Sequence, residues 1–142
     1  MPQPAGPALQ IGERTSIALV DDDRVLRRRL QLLLRASDYD VRAYSTAQTL
    51  LADPGSRASA CLISDQHMPK MDGFTLLRRL RAGGWSGPAI LITSSQDADL
   101  PEKAASEGFH AVLIKPLADR VVLDAVRGAV NLARAIEPEA VQ

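Results

Sequence analysis

The sequence predicts an α/β domain in which a five-stranded parallel sheet carries helices on both faces. Five short apolar segments recur along the chain, amphipathic helical patterns lie between them, and the two kinds of segment alternate strictly. Near-continuous apolar strands are typical of strands buried on both faces. Right-handed crossovers between parallel strands leave few other arrangements for this order.

The five predicted strands are four or five residues long and almost uninterrupted in apolar content. They are residues 16–20, 41–44, 60–63, 89–92 and 111–114. In an open parallel sheet, ligands bind beyond the carboxyl ends of the strands. The residues that follow each strand are therefore the candidates for a functional site.

The first and last predicted helices have apolar residues at steps of three and four, the spacing of a helix with one buried face. These residues are Val25, Leu26, Leu30, Leu33 and Leu34 in the first helix, and Val121, Val122, Ala125, Val126, Ala129 and Ala133 in the last. Arginines 27–29 are interpreted as the solvated side of the first helix. Ser45 and Gln48 have the spacing of a capping box, so a second helix is predicted to begin there.

Aspartate, proline and glycine mark the ends of the remaining two helices. Asp72 and Gly73 are predicted to open the third helix, and glycines 83–84 to end it. Pro101 suits the first turn of a fourth helix, which Gly108 closes. With these elements the alternation of strand and helix is complete.

Composition and charge exclude several classes of protein. Seventeen basic and seventeen acidic residues cancel, so no global charge favours nucleic acid or a membrane surface. The longest apolar runs, such as 89–92, are far shorter than the ~20 residues that span a bilayer. The single cysteine, Cys61, excludes an internal disulfide and is compatible with a reducing cytosol. We expect a cytoplasmic protein with no membrane segment and no direct contact between this chain and nucleic acid.

The chain is predicted to hold one domain, at residues 15–135. The segment 1–14 is rich in proline, glycine and alanine and is expected to be a flexible tail. The segment 136–142 is expected to be a second tail, too short to hold a further domain.

Acidic residues follow the first and third predicted strands. Asp21, Asp22 and Asp23 come after residues 16–20, and Asp65 follows the third strand. Carboxylates gathered at one edge of a sheet repel each other unless a cation lies between them. Carboxylate, carbonyl and water oxygens suit Mg2+. Acids at this place also complement the dipole of a following helix, which is the ordinary interpretation of residues 21–23 alone.

The other strand ends carry groups that suit phosphoryl chemistry. With a cation beside it, Asp65 could attack a phosphoryl group as a carboxylate nucleophile. Thr93, after the fourth strand, offers a hydroxyl, and Lys115, after the fifth, offers a positive charge to phosphoryl oxygens. Each residue alone could be an ordinary turn, strand or surface residue. Their agreement at four strand ends favours a site.

These residues lie in motifs that resemble the receiver domain of bacterial response regulators, which has the CheY-like, flavodoxin-like fold. The motifs occur in the order and spacing of that family, between about residues 15 and 135. They are Val20-Asp21-Asp22-Asp23, Ser64-Asp65-x-x-Met68-Pro69-x-Met71-Asp72-Gly73, Ile92-Thr93-Ser94 and Ile114-Lys115-Pro116.

The resemblance implies a phosphorylation site and a metal site. Asp65 is the implied phosphoacceptor, which would form a 4-aspartylphosphate. Asp22, Asp65 and the backbone carbonyl of His67 are the implied Mg2+ ligands, and Asp21 would act through water. The side chain of His67 is interpreted as a residue of the site's rim.

The resemblance also implies a switch. Thr93 would be the switch hydroxyl, Lys115 would pair with the phosphoryl group, and the Lys115-Pro116 bond would be cis. Two residues depart from the family pattern, since Val112 and Leu117 stand where aromatic residues are common. We therefore expect the loop at 94–100 to carry most of the conformational change.

The function that follows from the resemblance is a phosphoacceptor switch of a two-component system. It would take a phosphoryl group from a histidine kinase or a histidine phosphotransfer protein and control a protein partner. It would not be an enzyme with an external product, although it would catalyse its own phosphorylation and dephosphorylation. The output partner and the formation of a homodimer are left open by the sequence.

Two alternatives are weighed against this interpretation. The spacing Asp21-x-Asp23 resembles the first motif of haloacid-dehalogenase-type phosphatases, but an acidic pair is missing after Lys115, where only the separated Asp119 and Asp124 follow. The chain could also be the receiver piece of a larger DNA-binding regulator or hybrid kinase, because residues 136–142 cannot form an output domain.

Overall fold

The structure, a computed structural model, describes the backbone of residues 14–141 and the side chains of residues 14–135. Five parallel strands form one sheet in the order β2-β1-β3-β4-β5. The strands are β1 (Ser16–Val20), β2 (Asp40–Tyr44), β3 (Cys61–Asp65), β4 (Ala89–Thr93) and β5 (Ala111–Ile114). The α-helices are α1 (Arg24–Ala36), α2 (Ala47–Ala52), α3 (Gly73–Ala82), α4 (Leu100–Ser106) and α5 (Asp119–Val141), and a 3-10 helix spans Pro54–Ala58. The predicted fold class is confirmed.

The sheet separates two apolar cores, because alternate residues of a strand face opposite sides. On one face, Leu62 of β3 packs with residues of α2, α3 and α4, among them Leu77. On the other face, Ile63 packs with Leu34 of α1 and Val126 of α5. The result is the predicted three-layer arrangement, with every strand end directed to one edge.

The third and fourth strands extend further than predicted. β3 continues to Asp65 and β4 to Thr93, so both candidate site residues are the last residues of their strands. In the ladder Asp65 lies opposite Ile92, and Thr93 opposite Ile114. The sheet therefore fixes the backbone of both residues.

Side-chain caps define where three helices begin. Asp23 caps α1, accepting hydrogen bonds from the amides of Val25 and Leu26, and Asp72 caps α3 as predicted. The predicted cap at Ser45 is wrong by one residue, because Thr46 accepts the amide of Thr49 at 3.1 Å. Two adjacent hydroxyl residues satisfy the same cap pattern, so the sequence could not choose between them.

The chain termini are described only in part. Residues 1–13, most of the predicted N-terminal tail, lie outside the described residues. The backbone of α5 continues to Val141, through most of the segment predicted as a C-terminal tail, while the side chains after Ala135 are outside the described set. Within the described part of the chain, no helix has both the length and the apolar character needed to cross a bilayer.

Candidate functional site

Three carboxylates predicted to form one site lie together at the carboxyl edge of the sheet. Asp21, Asp22 and Asp65 each place one carboxylate oxygen within 4.8 Å of the others. Asp21 is fully buried, Asp65 is buried and Asp22 is exposed. Oδ1 of Asp21 accepts the backbone amide of Asp23 at 2.8 Å, whereas its buried Oδ2 accepts no hydrogen bond from a described residue and has Nζ of Lys115 3.6 Å away. A buried carboxylate oxygen without a donor, beside two other carboxylates, suits a hard cation.

Lys115 joins two of these carboxylates. Its Nζ lies 3.3 Å from Oδ1 of Asp65 and 3.6 Å from Oδ2 of Asp21. Its backbone amide donates to the carbonyl of Thr93 at 2.8 Å, which ties the residue after β5 to the end of β4. The Lys115-Pro116 bond is cis, as the resemblance implied.

Burial and mutual charge shift the ionisation of this cluster. Burial raises the pKa of Asp65 to about 6; the charge of Asp21 acts in the same direction, and the ammonium of Lys115 opposes them. Burial also raises the pKa of Asp21. For Lys115, burial alone would lower the pKa, but the charges of Asp21 and Asp65 outweigh it and raise the pKa. Keeping Asp21 and Asp65 ionised in the folded protein therefore lowers its stability, and a bound cation would reduce this loss.

Thr93 reaches the site edge but directs its hydroxyl to a neighbour that sequence reasoning missed. Its Oγ1 donates to Oε1 of Gln66 and accepts the amide of Ser95 at 2.9 Å. Thr93 is fully buried and Gln66 is 9% exposed. The only sequence signal for this pair is the position of Gln66, directly after Asp65.

Two residues after β3, His67 and Gly73, lie next to the site. The side chain of His67 is exposed, in agreement with its interpretation as a rim residue, whereas the role of its carbonyl as a ligand stays a prediction. Gly73, the first residue of α3, lies so close to the site that an added Cβ would be 2.6 Å from the carbonyl oxygen of Asp65. Only glycine lets α3 begin this close to the strand end.

Two of the three arginines predicted to form the solvated side of α1 make contacts with other parts of the chain. Arg27 donates to the backbone carbonyl of Asp21 at 2.7 Å, and Arg29 pairs with Asp119 at 2.7 Å. Arg28 and Arg29 are exposed, as expected of a solvated face, and the Arg29 ion pair is itself a surface contact, whereas Arg27 is partly buried. Arg27 helps to hold the chain where β1 leaves the sheet.

The phosphatase interpretation gains nothing from the geometry. It requires Asp23 as a functional partner of Asp21, but the carboxylate of Asp23 is exposed and caps α1 through the amides of Val25 and Leu26. The acid that approaches Asp21 is instead Asp65, from β3.

The two departures from the family pattern occupy ordinary apolar positions. Val112 is partly buried and packs against the core that contains Leu100, on the face of α2, α3 and α4. Leu117 is buried in the opposite core. Neither position offers an aromatic ring near Thr93.

Comparisons with known proteins agree with this geometry. The family model for the response regulator receiver domain matches residues 17–127. The chain is 34% identical to response regulator protein TmoT of Ectopseudomonas mendocina, over 85% of this chain and 55% of that protein. It is 35% identical to the C4-dicarboxylate transport transcriptional regulatory protein DctD of Rhizobium meliloti, over 79% of this chain and 25% of that protein. The chain thus spans about half or less of the length of these relatives.

A solved structure supports the same assignment. The signal receiver domain of an HD domain-containing protein from Pseudomonas fluorescens superposes with a TM-score of 0.78 and 36% identity, covering 87% of this chain and 99% of that one. The match to the family model, the identity to these relatives and the structural similarity lead to one conclusion. The chain belongs to the response regulator receiver domain family.

Proposed function

We propose that this chain is a phosphoryl-accepting switch in which Asp65 receives a phosphoryl group from a histidine kinase or a histidine phosphotransfer protein. The observation that carries the proposal is the placement of Lys115, whose Nζ lies 3.3 Å from the Asp65 carboxylate inside a cluster of three acids. A nucleophilic carboxylate beside a fixed ammonium group suits the transfer of an anionic phosphoryl group.

In the proposed transfer, an oxygen of Asp65 bonds to phosphorus while the bond from phosphorus to the donor imidazole nitrogen breaks. The electron pair stays on that nitrogen, which takes up a proton. Lys115 donates to a phosphoryl oxygen, and Thr93 donates to another once its hydroxyl leaves Gln66. Attack of water on phosphorus later restores the Asp65 carboxylate and releases inorganic phosphate.

The acidic cluster fits the Mg2+ that receiver chemistry requires. Asp22, Asp65 and the carbonyl of His67 would hold the ion, and Asp21 would act through water. The buried Oδ2 of Asp21, which accepts no hydrogen bond from a described residue and has only the Lys115 ion pair at 3.6 Å, supports this placement. When bound, the ion supplies positive charge to the phosphoryl oxygens as charge shifts during transfer.

Phosphorylation would act by favouring one conformation of the domain over another. The changed surface would be read by an output partner, either a separate protein or a further domain of a longer chain. We place this switch in the cytoplasm, where kinases and phosphotransfer proteins of two-component systems act. A homodimer of the phosphorylated form is compatible with the proposal.

Intact-mass spectrometry after incubation with Mg2+ and acetyl phosphate tests the proposal. The wild type should gain one phosphoryl group, Asp65→Asn should gain none, and chelation of Mg2+ should abolish the gain. Asp124→Asn is the matched control, because Asp124 is an exposed acid of α5, and it should be phosphorylated like the wild type.

Two results would contradict the proposal. An adduct mapped to Asp21 would instead support the phosphatase-like alternative. A wild type that gains no phosphoryl group from acetyl phosphate or from phosphoramidate would show that this site does not accept phosphate.

A further inference from the structure

The side chain of Gln66, next to the proposed phosphoacceptor Asp65, accepts a hydrogen bond from the hydroxyl of Thr93, the proposed switch residue. Thr93 Oγ1 donates to Oε1 of Gln66 at 2.5 Å, and both side chains are buried. The amide of Ser95 donates to the same Oγ1 at 2.9 Å. The hydroxyl of Thr93 is therefore held from both sides.

This arrangement leaves Thr93 with no free proton. A threonine hydroxyl has one proton to donate, and here Gln66 accepts it. A phosphoryl oxygen on Asp65 can receive that proton only after the bond to Gln66 is broken. The amide oxygen of Gln66 and the phosphoryl oxygen thus compete for one donor.

Two backbone hydrogen bonds hold Gln66 in place, so only its side chain can move when the bond to Thr93 is broken. The backbone N–H of Gln66 donates to the backbone carbonyl of Ile92 at 2.8 Å, and the backbone carbonyl of Gln66 accepts the N–H of Gly73 at 2.9 Å. These bonds tie Gln66 to β4 and to the start of α3. Releasing Thr93 leaves a buried amide oxygen in need of another donor, which has a cost in free energy.

We propose that Gln66 is a positioning residue that holds the Thr93 hydroxyl in its unphosphorylated orientation and so weakens the binding of a phosphoryl group at Asp65. The inference rests on the proposed function, because it assumes that Asp65 carries the phosphoryl group. It adds that the residue directly after the phosphoacceptor sets how far the switch is biased toward its resting state.

The test measures the affinity of the whole chain for beryllofluoride, a mimic of the phosphoryl group on a carboxylate, in the presence of Mg2+. The amide resonance of Ser95 reports binding, since this amide contacts the Thr93 oxygen. Gln66→Met removes the acceptor at similar side-chain length. It should tighten beryllofluoride binding about fivefold, the ratio that corresponds to one net hydrogen bond of ~1 kcal/mol. Gln66→Asn, whose shorter amide no longer reaches Thr93, should change affinity in the same direction.

A mutant cycle separates positioning from a general structural effect. In a Thr93→Val background there is no hydroxyl to hold, so Gln66→Met should leave beryllofluoride affinity unchanged. Affinity for Mg2+ alone should also be unchanged. Ser56→Ala, which removes a different buried hydroxyl that donates to the carbonyl of Leu50, should not alter beryllofluoride affinity.

The outcomes distinguish this inference from the function beneath it. Equal beryllofluoride affinity of the wild type and both Gln66 variants would overturn the inference and leave the proposed function standing. An equal gain from Gln66→Met in the Thr93→Val background would also overturn it. Failure of the folded wild type to bind beryllofluoride would overturn both.

Discussion

Replacing Asp65 by asparagine should stabilise the metal-free protein at neutral and alkaline pH. Asp65 is buried beside Asp21, and burial raises its pKa from 3.8 to about 6 in the folded state. The folded protein must therefore hold an ionised carboxylate in an environment that disfavours its charge. Asparagine fills nearly the same space and carries no charge to be held.

The size and sign of the effect follow from the shift in pKa. A rise of about two units corresponds to ~3 kcal/mol, at 1.36 kcal/mol for each unit. The folded state binds the proton more tightly than the unfolded chain, so Asp65 reduces stability as pH rises from about 4 to about 6. Above that window the full penalty is present, and below it the penalty disappears.

Urea denaturation in the presence of a chelator measures this effect. At pH 8 the free energy of unfolding of Asp65→Asn should exceed that of the wild type by ~3 kcal/mol, and the gap should close as pH falls toward 4. Addition of Mg2+ should narrow the gap at pH 8 by stabilising the wild type. The control Asp124→Asn, at an exposed site, should stay within about 0.5 kcal/mol of the wild type. A gap that is absent at pH 8, or that does not change with pH, would refute the reasoning.

Other changes test further contacts of the site. Lys115→Met should raise the pKa of Asp65 above about 6, because the ammonium group of Lys115 lowers that pKa. NMR titration of the Asp65 carboxyl carbon measures the pKa, and an unchanged value would contradict the ion pair. Gly73→Ala should lower the free energy of unfolding by about 1–3 kcal/mol, because its Cβ would lie 2.6 Å from the Asp65 carbonyl. Gly128→Ala, within α5, should instead raise the free energy of unfolding by about 0.5–1 kcal/mol, because no described atom beyond its own stretch of helix lies within 4 Å of the added Cβ. Urea denaturation measures both variants, and a change of the opposite sign in either would contradict the prediction. On addition of beryllofluoride, amide shifts in the loop 94–100 should change more than those of β5, and equal or smaller changes would show that the loop is not the main moving part.

The strands and the outline of the site were predictable because they depend on simple sequence patterns. Apolar runs locate the strands, and the rule that parallel strand ends share an edge brings together Asp21, Asp65 and Lys115, which are far apart along the chain. No side-chain rotamer is needed for that inference. The candidate residues could therefore be placed at one edge of the sheet before their contacts were known, whereas their roles as metal ligands and phosphoacceptor come from the family resemblance and stay proposals.

The contacts that the sequence did not reveal depend on side-chain direction. Gln66 meets Thr93 only because β3 and β4 are neighbours in register and both side chains are buried at the same edge. Arg27 turns back to the carbonyl of Asp21, although its position on α1 also suits a solvated side chain. Helical spacing tells which face a long side chain starts from and not where its charged end lies.

The charges at the carboxyl edge of the sheet bear on how easily an anionic ligand can approach the site. Among the described side chains, Lys115 pairs with two of the three carboxylates, and the guanidinium of Arg27 bonds to the backbone carbonyl of Asp21 and not to a carboxylate. The ionised edge therefore carries an excess of negative charge, which a divalent cation would offset. On the proposed function, an anionic phosphodonor would meet this negative charge at distances shorter than the ~8 Å over which physiological salt screens charge, unless a divalent cation is bound. Dissolved monovalent salt would therefore not replace a divalent cation bound between the carboxylates. On the proposed function, this excess negative charge would disfavour the approach of anionic phosphodonors to Asp65 until a divalent cation is bound.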